Sequence, residues 1–524
     1  MKTKELSNTK FKLIILGLML SLLLSALDST VVSTAMKTIV YDLNGVEYYT
    51  WPFTIYILFS TIITPVAGGF SDILGRKPVF STGILVFLIG STLSGLSQNM
   101  IELIVFRGIQ GLGGGIIVTI VFTIVGDIVS PQNRGKYMGI VTSVYGLSSI
   151  VGPIIGGLMI DHLTWRWIFF INIPLGAISL LIILFLLPKK ENTLLSQKLD
   201  IKGTISLTLA LIPLLLIFSL AEKQFSWISI PSISMFIFAL IMLFMFIRFE
   251  LNSKNPLIPM DFFINRSVSL NLIVAFLTNG IMFACILYIP YFSQIILKTS
   301  ATTSGIIIMP MMLSMLFLSI ITGIAVSKIG KTKLFVLIAF ILMTVGTLLL
   351  TNMDHNTSYF KVIIYMIIIG SGIGINMPIA NLNAQNAVSP SKIGSVTSTV
   401  QFFRNIGSTI SSALCGTIMI SLMNKGIESI DMSSIPTQLQ DKLKDPSVIT
   451  NNQALNAIIN QVSPKNLKHL TFIINYSKEI LVNSISKVFL FCLILSMLGL
   501  VTAFFFKEVP VRKNENHYAS KLKK

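Results

Sequence analysis

Apolar residues occur along this chain in long runs that short polar segments separate. An α-helix rises about 1.5 Å per residue and the hydrocarbon core of a bilayer is about 30 Å thick, so a run of about 20 residues can cross it. Runs of that length cover residues 11–36, 49–71, 79–97, 101–127, 135–160, 166–187, 201–221, 228–249, 268–294, 302–326, 333–351, 361–387, 394–422 and 483–506. The pattern predicts an all-α integral membrane protein with 14 transmembrane helices.

The charged residues agree with this pattern and orient the chain. Only 11% of the residues are charged and the mean hydropathy is +0.82, whereas soluble domains carry about 25% charged residues. The net charge of +18 arises mainly from lysines and arginines in the termini and in the loops on their side, such as Arg76, Lys77 and Arg134. By the positive-inside rule, we expect both termini to be cytoplasmic in the plasma membrane and no nucleic acid to bind.

Other functional classes find little support in the sequence. The three cysteines, Cys285, Cys415 and Cys492, lie in apolar runs, and the four histidines lie outside them. Buried cysteines behave as small hydrophobic residues, so we expect neither disulfides nor a metal site. No nucleophile–base pair or phosphate-binding loop indicates an enzyme, and we expect no cofactor.

The part of the first apolar run from Leu13 to Met36, which Lys12 and Lys37 flank, contains a single charged residue, Asp28. A carboxylate inside a membrane helix costs about 2.5–3.5 kcal/mol on insertion scales and usually faces a bundle interior or an aqueous cavity. Two interpretations remain open. Asp28 either carries protons or makes a structural hydrogen bond to a neighbouring helix.

The loop between the second and third runs combines glycines with charges. Its glycines allow helix ends to approach each other closely, and Asp72 can accept hydrogen bonds from a helix N-terminus or from Arg134. The loop resembles the signature loop of the major facilitator superfamily, and residues 323–331 repeat it in weaker form. The resemblance implies two six-helix bundles and a cytoplasmic gate made of Gly68, Asp72, Gly75, Arg76, Lys77, Asp127 and Arg134.

The fifth run contains glycines on both sides of a proline. Pro153 removes a helix hydrogen bond, and the glycines permit tight, bendable packing. The run resembles the antiporter signature of exporters in this superfamily, which implies a flexible seam formed by Gly146, Gly152, Pro153, Gly156 and Gly157.

Residues 27–35 of the first run resemble the signature of the fourteen-span drug:proton antiporter (DHA2) branch, as do residues 255–259, 290–294 and 402–407. The chain departs from that signature at Ser33, where Asn is usual, and at Lys37, where Pro is usual. The resemblance implies that Arg107, inside the fourth run, couples to Asp28. The alternative is that Arg107 extends to a membrane interface.

The resemblance implies a proton-coupled antiporter that exports amphiphilic compounds and that the proton gradient drives. The spans from residue 268 onward contain no Asp or Glu, and a dication would then lack compensation for its lost hydration. We therefore expect neutral or monocationic substrates. An exporter of lipid-like molecules and a sensor without transport activity are alternatives. The predicted cavity residues are Tyr56, Asn279, Met282, Phe283, Asn376, Asn381, Gln401, Phe402 and Arg404.

These patterns divide the chain into four regions. We expect an N-terminal six-helix bundle at 11–187, two inserted helices at 201–249, a C-terminal six-helix bundle at 268–506 and a basic cytoplasmic tail at 507–524. The long polar segment 423–482 is predicted to be an extracytoplasmic loop that acts as a lid, a docking surface or a solvated linker. We expect the whole protein to be a monomer whose partners are small-molecule substrates, protons and the lipid bilayer.

Overall fold

The computed structural model describes residues 7–43, 48, 51–188, 200–220, 226–253, 255–297, 301–354, 357–428, 430 and 467–506. These residues form 16 α-helices, two of them with only four residues. The helices are α1 Asn8–Asp42, α2 Trp51–Leu74, α3 Arg76–Leu96, α4 Met100–Ile128, α5 Arg134–His162, α6 Trp167–Phe170, α7 Asn172–Leu186, α8 Ile201–Leu220, α9 Ile230–Asn252, α10 Asp261–Ile264, α11 Arg266–Ile295, α12 Ala301–Ile329, α13 Lys333–Thr351, α14 Tyr359–Asn386, α15 Ile393–Glu428 and α16 Leu467–Phe504.

Fourteen of the described helical segments are long and apolar enough to cross a membrane. They correspond one to one with the predicted apolar runs, so the predicted fold class is confirmed. The protein is therefore a multi-pass membrane protein. We call the end of the bundle where α1 begins and α16 ends the terminal face, and the opposite end the distal face.

The helices pack in two groups with an insert. The first group consists of α1–α7 around cores that contain Phe87 and Phe122, and the second consists of α11–α16 around a core that contains Phe340 and Phe489. The inserted helices α8 and α9 pack on each other. Leu211 of α8 packs in a common cluster with residues of α2 and α15, so the insert covers one side of the boundary between the two groups.

The predicted loop 423–482 is partly helical. Helix α15 continues to Glu428, and α16 begins at Leu467. Leu470, Ile474 and Leu481 are buried at helical spacing, which accounts for a helix that continues beyond the apolar run through the charged positions Lys478 and Glu479. Residues 431–466 and the tail 507–524 lie outside the described residues.

Candidate functional site

Asp28 of α1 lies inside the first helix group, where only 1% of its surface is exposed. Its Oδ2 accepts a hydrogen bond from Nη1 of Arg107 at 2.5 Å. Its Oδ1 accepts from Nε2 of Gln110 at 2.7 Å and from Nδ2 of Asn172 at 3.3 Å. Helices α1, α4 and α7 therefore meet at this carboxylate, and each of its oxygens has a donor.

Arg107 of α4 is fully buried and its charge is paired with that of Asp28. Its Nη1 also contacts Oε1 of Gln110 at 2.7 Å, and its guanidinium carbon lies 4.3 Å from the centroid of the Tyr56 ring, a favourable cation–π arrangement. Its Nε and Nη2 have no hydrogen-bond partner among the described residues. Arg107 therefore retains unused donors although its charge is paired.

Small residues on α4 allow the Tyr56 ring to reach this position. A Cβ atom on Gly111 would lie 2.4 Å from the Tyr56 carbonyl oxygen, and one on Gly114 would lie 2.4 Å from the Tyr56 hydroxyl. Helices α2 and α4 can approach this closely only without side chains at those two positions. The glycine-rich run after Arg107 therefore positions an aromatic face against the buried cation.

Two residues of this site were not among the predicted site residues. Gln110 lies three residues after Arg107 and hence on the same helix face, and Asn172 begins α7 and also donates to Ser91 Oγ at 3.0 Å. Both are uncharged. A polar side chain within one helical turn of a charged one in an apolar run is the signal that could have identified Gln110.

The predicted gate residues form a chain of contacts at the terminal face. Asp72, at the end of α2, accepts hydrogen bonds from the backbone N–H groups of Gly394 at 3.1 Å and Ser395 at 2.8 Å, and from Ser395 Oγ at 2.7 Å. Its carboxylate thus caps the N-terminus of α15, which favours a negative charge. Of the two partners predicted for Asp72, the structure shows the helix N-terminus.

Arg76 extends this chain inside the first group. Its Nη1 lies 2.5 Å from Asp72 Oδ1 and its Nε lies 2.8 Å from Asp127 Oδ2. Gly75, which precedes it, has a φ of 93° that favours glycine. Lys77 instead donates to the Leu187 carbonyl at 3.0 Å, within the first group. Asp72 therefore connects the charge cluster of the first group to the second.

Further contacts between the two groups lie at the same face. Arg134 of α5 donates to Asn386 Oδ1 of α14 at 3.0 Å. A Cβ atom on Gly68 would lie 2.1 Å from Ser398 Oγ, and one on Gly139 would lie 2.2 Å from the Ser319 carbonyl oxygen. The helices of the two groups therefore approach each other closely at glycines near the terminal face, and the structure is closed there.

The predicted seam in α5 has two different neighbours. A Cβ atom on Gly146 would lie 2.8 Å from the Met312 carbonyl oxygen of α12. One on Gly152 would lie 2.0 Å from Thr30 Oγ1 of α1, and one on Gly156 would lie 2.2 Å from Thr34 Oγ1, whereas one on Gly157 would meet no atom within 4 Å. Pro153 lies in the same helix. From Gly152 onward, α5 therefore packs on the helix that carries Asp28.

The predicted cavity residues fall into separate places. Tyr56 belongs to the Asp28 site, Met282 lies in the core of the second group, and Phe402 packs with α2 and α8. Phe283 lines a groove of about 400 Å³ between α2, α8, α11 and α15. The remaining five residues are buried in the second group, namely Asn279, Asn376, Asn381, Gln401 and Arg404.

The groove lies toward the distal face. Its lining is mainly apolar, with hydroxyl groups from residues such as Ser408, Ser412 and Thr417, and contains no charged residue among those described.

At the distal end of α1, hydrogen bonds from Trp165 and Arg166 hold the pKa of Asp42 below its usual value. These two hydrogen bonds link α1 to the segment that precedes α6.

Comparisons with known proteins extend over nearly the whole chain. Residues 18–412 match the Major Facilitator Superfamily. The multidrug transporter protein MdtP of Bacillus subtilis is 38% identical over 97% of this chain and 95% of its own length. Multidrug resistance protein 3 of the same organism is 34% identical over 97% of each chain.

Solved structures share the fold at low sequence identity. The proton:xylose symporter XylE superposes with a TM-score of 0.60 at 11% identity, covering 98% of this chain and 99% of that chain. The human organic anion transporter MFSD10 superposes with a TM-score of 0.57 at 15% identity, covering 93% of this chain and 99% of that chain. At such identities the likeness concerns the fold alone.

Proposed function

We propose that this chain, which belongs to the Major Facilitator Superfamily, exports small hydrophobic compounds across the plasma membrane in exchange for protons. The chain is a transporter and not an enzyme, and its similarity to two multidrug transporters over 97% of its length supports drug efflux. The exchange of protons and the residues that perform it are our proposal.

The observation that carries the proposal is the buried ion pair of Asp28 and Arg107, in which neither side chain is exposed. A buried ion pair is tolerated only while both charges remain. Binding of a proton by Asp28 neutralises one partner and leaves Arg107 as an uncompensated cation. Protonation therefore changes the relative stability of two arrangements of α1 and α4, which is the requirement for coupling a proton to a conformational change.

The second element of the mechanism is the closed terminal face. In our proposal this face is cytoplasmic, as the lysines and arginines of its loops indicate. Its opening separates Asp72 from the N-terminus of α15 and Arg134 from Asn386. Since α5 contacts α12 near this face and α1 near Asp28, movement of α5 would connect the two sites.

We propose neutral or monocationic substrates. The described helices α11 to α14 contain no carboxylate that could compensate a second positive charge, and those of α15 and α16 are Glu428, the last residue of α15, and the exposed Glu479, which precedes the apolar run 483–506. The groove between α2, α8, α11 and α15 offers apolar surface with hydroxyl groups. Apolar surface with few directional polar groups binds amphiphiles of varied shape.

The proposal is tested by proton movement in inside-out vesicles whose lumen is acidic. On addition of a monocationic dye, vesicles with the wild-type protein should lose part of their pH gradient, and vesicles with Asp28→Asn should not. Glu102→Gln serves as the control, because Glu102 is a half-buried carboxylate at the distal end of α4, outside the Asp28 site. A gradient that the wild-type protein leaves unchanged for every neutral and cationic dye would overturn the proposal.

A further inference from the structure

Arg404 of α15 is a buried cation that pairs with no carboxylate in the part of the chain that the structure describes. It is 3% exposed, and among the described residues no Asp or Glu lies within ion-pair distance of it. Its Nη2 donates to the Met377 carbonyl oxygen at 2.5 Å and its Nη1 donates to Gln401 Oε1 at 3.3 Å. Arg107, the other arginine buried in the middle of a span, has Asp28 as its counter-ion.

The residues around Arg404 leave further polar atoms unused. Gln401 donates to Asn381 Oδ1 at 3.4 Å, while Nδ2 of Asn381 has no partner among the described residues. The same holds for Oδ1 of Asn376 and Oε1 of Gln385, on the same helix α14. All of these residues are at least 97% buried. Unsatisfied buried polar groups are costly. Because Asn381 is linked to Arg404 through Gln401, the polar cluster at this cation is only partly satisfied in this conformation.

The cover over this site comes from the first helix group. The Phe122 ring centroid of α4 lies 6.0 Å from the Arg404 guanidinium carbon, and the Phe122 carbonyl accepts from Gln385 Nε2 at 3.0 Å. Arg404 lies about 16 Å along α15 from its beginning at the terminal face, at about 1.5 Å per residue. Separation of the groups at that face therefore removes Phe122 from Arg404 and opens the site from that side.

We propose that Arg404, with the neighbouring amides of α14, binds an acceptor oxygen of the exported compound, a carboxylate most strongly, when the terminal face is open. This inference rests on the proposed export function and narrows its substrate class. A guanidinium matches a carboxylate with two parallel hydrogen bonds. Arg404 has five N–H donors, and its acceptors among the described residues, Gln401 and Met377, use two of them. The preferred substrates are thus neutral or monocationic compounds with an ester or carbonyl group, and zwitterions whose negative charge is a carboxylate.

Three dyes with one xanthylium ring system separate this contribution from hydrophobicity. Tetramethylrosamine has no carboxyl group, the methyl ester of tetramethylrhodamine has an ester, and tetramethylrhodamine has a carboxylate. We expect the wild-type protein in nanodiscs to bind the carboxylate dye about tenfold more tightly than tetramethylrosamine, with the ester between them, as for a hydrogen bond to a charged group. Fluorescence anisotropy measures the three dissociation constants.

The variants assign this order to Arg404. Arg404→Gln should bind all three dyes with similar affinity, while Arg404→Lys, which keeps the charge but not the planar fork, should retain part of the order. An unchanged order in Arg404→Gln would overturn the inference. Equal affinities in the wild-type protein would overturn it too, whether or not Arg404→Gln folds.

The same dyes distinguish this inference from the export proposal. Asp28→Asn should keep the order of affinities, because Arg404 and not Asp28 contacts the acceptor oxygen. If the wild-type protein shows the order but exchanges no dye for protons, the export proposal fails and the Arg404 site stands. If exchange occurs without the order, the Arg404 site fails alone.

Discussion

Asp28 and Arg107 form an ion pair with an O–N distance of 2.5 Å from which solvent is completely excluded. The pair lies between two membrane-spanning helices, and Gln110 contacts both partners. Removing one partner of such a pair is strongly destabilising, because the other charge remains buried. The relationship thus predicts effects on stability that can be separated from effects on transport.

We expect Asp28→Asn to lower the free energy of unfolding by about 3 kcal/mol or less, since Arg107 loses its counter-ion while an amide oxygen remains as acceptor. The double variant Asp28→Asn, Arg107→Gln should recover part of this loss without recovering proton-driven efflux. Thermal unfolding in detergent measures the stability. A double variant less stable than the single one would show that the charge of Arg107 is compensated elsewhere.

The cap that Asp72 provides predicts a shift in conformation. Asp72→Ala removes the acceptor of the two N–H groups of α15, and caps and helix-dipole contacts contribute about 1 kcal/mol or more. The fraction of molecules open at the terminal face should rise about fivefold to tenfold. Ser398→Cys, at a fully buried position beside Gly68, reports this opening through its rate of labelling with a water-soluble maleimide.

Lys77→Gln provides the control for this shift, because Lys77 contacts Leu187 inside the first group. Its labelling rate should equal that of the otherwise wild-type reporter. If Asp72→Ala and Lys77→Gln label at the same rate, the contact between Asp72 and α15 does not hold the face closed.

Gly139 and Gly157 lie on the same helix and predict opposite outcomes. A methyl group at Gly139 would meet the Ser319 backbone oxygen at 2.2 Å, whereas one at Gly157 would meet no atom within 4 Å. Gly139→Ala should therefore prevent full closure and increase labelling of Ser398→Cys, while Gly157→Ala should leave it unchanged. Equal labelling in the two variants would contradict the close contact of α5 with α12.

The contact of Gly152 with Thr30 predicts a pair of compensating substitutions. Gly152→Ala places a methyl group 2.7 Å from Thr30 Cβ, which no rotation of the Thr30 side chain relieves. Since Thr30 lies two residues from Asp28, we expect reduced proton-driven efflux. Thr30→Gly removes that Cβ and should restore part of the efflux. The restoration should be incomplete, because glycine inside α1 lowers the stability of the helix by about 1 kcal/mol. Efflux in the double variant that is no better than in Gly152→Ala would contradict this account.

The sequence predicts those features that a single unusual residue or the recurrence of apolar runs determines. The 14 spans follow from apolar runs, and Asp28, Arg107 and Asp72 stand out because charges are rare in those runs. Gln110 and Asn172 do not stand out, because uncharged polar residues occur in many spans and only the fold shows which of them meet a charge. The continuation of α16 through Lys478 and Glu479 likewise depends on tertiary packing of Leu470 and Ile474.

Arg404 is a charged residue that the sequence reveals but whose partners it does not. Its presence inside an apolar run is evident from the sequence. That no carboxylate of the described residues pairs with it, and that Phe122 covers it, depend on contacts between residues more than 250 positions apart. The partners of a buried charge decide whether it is structural or available to a ligand, and partners far apart in the chain are not predictable from spacing.

Proton release on substrate binding tests the central claim most directly. Purified wild-type protein in weakly buffered detergent solution with a pH indicator should release protons when tetramethylrosamine binds, because in our proposal the substrate displaces the proton from those molecules in which Asp28 is protonated. Asp28→Asn should bind the dye, as anisotropy records, and release none. Proton release by Asp28→Asn equal to that of the wild-type protein would contradict the role of Asp28 as the coupling site.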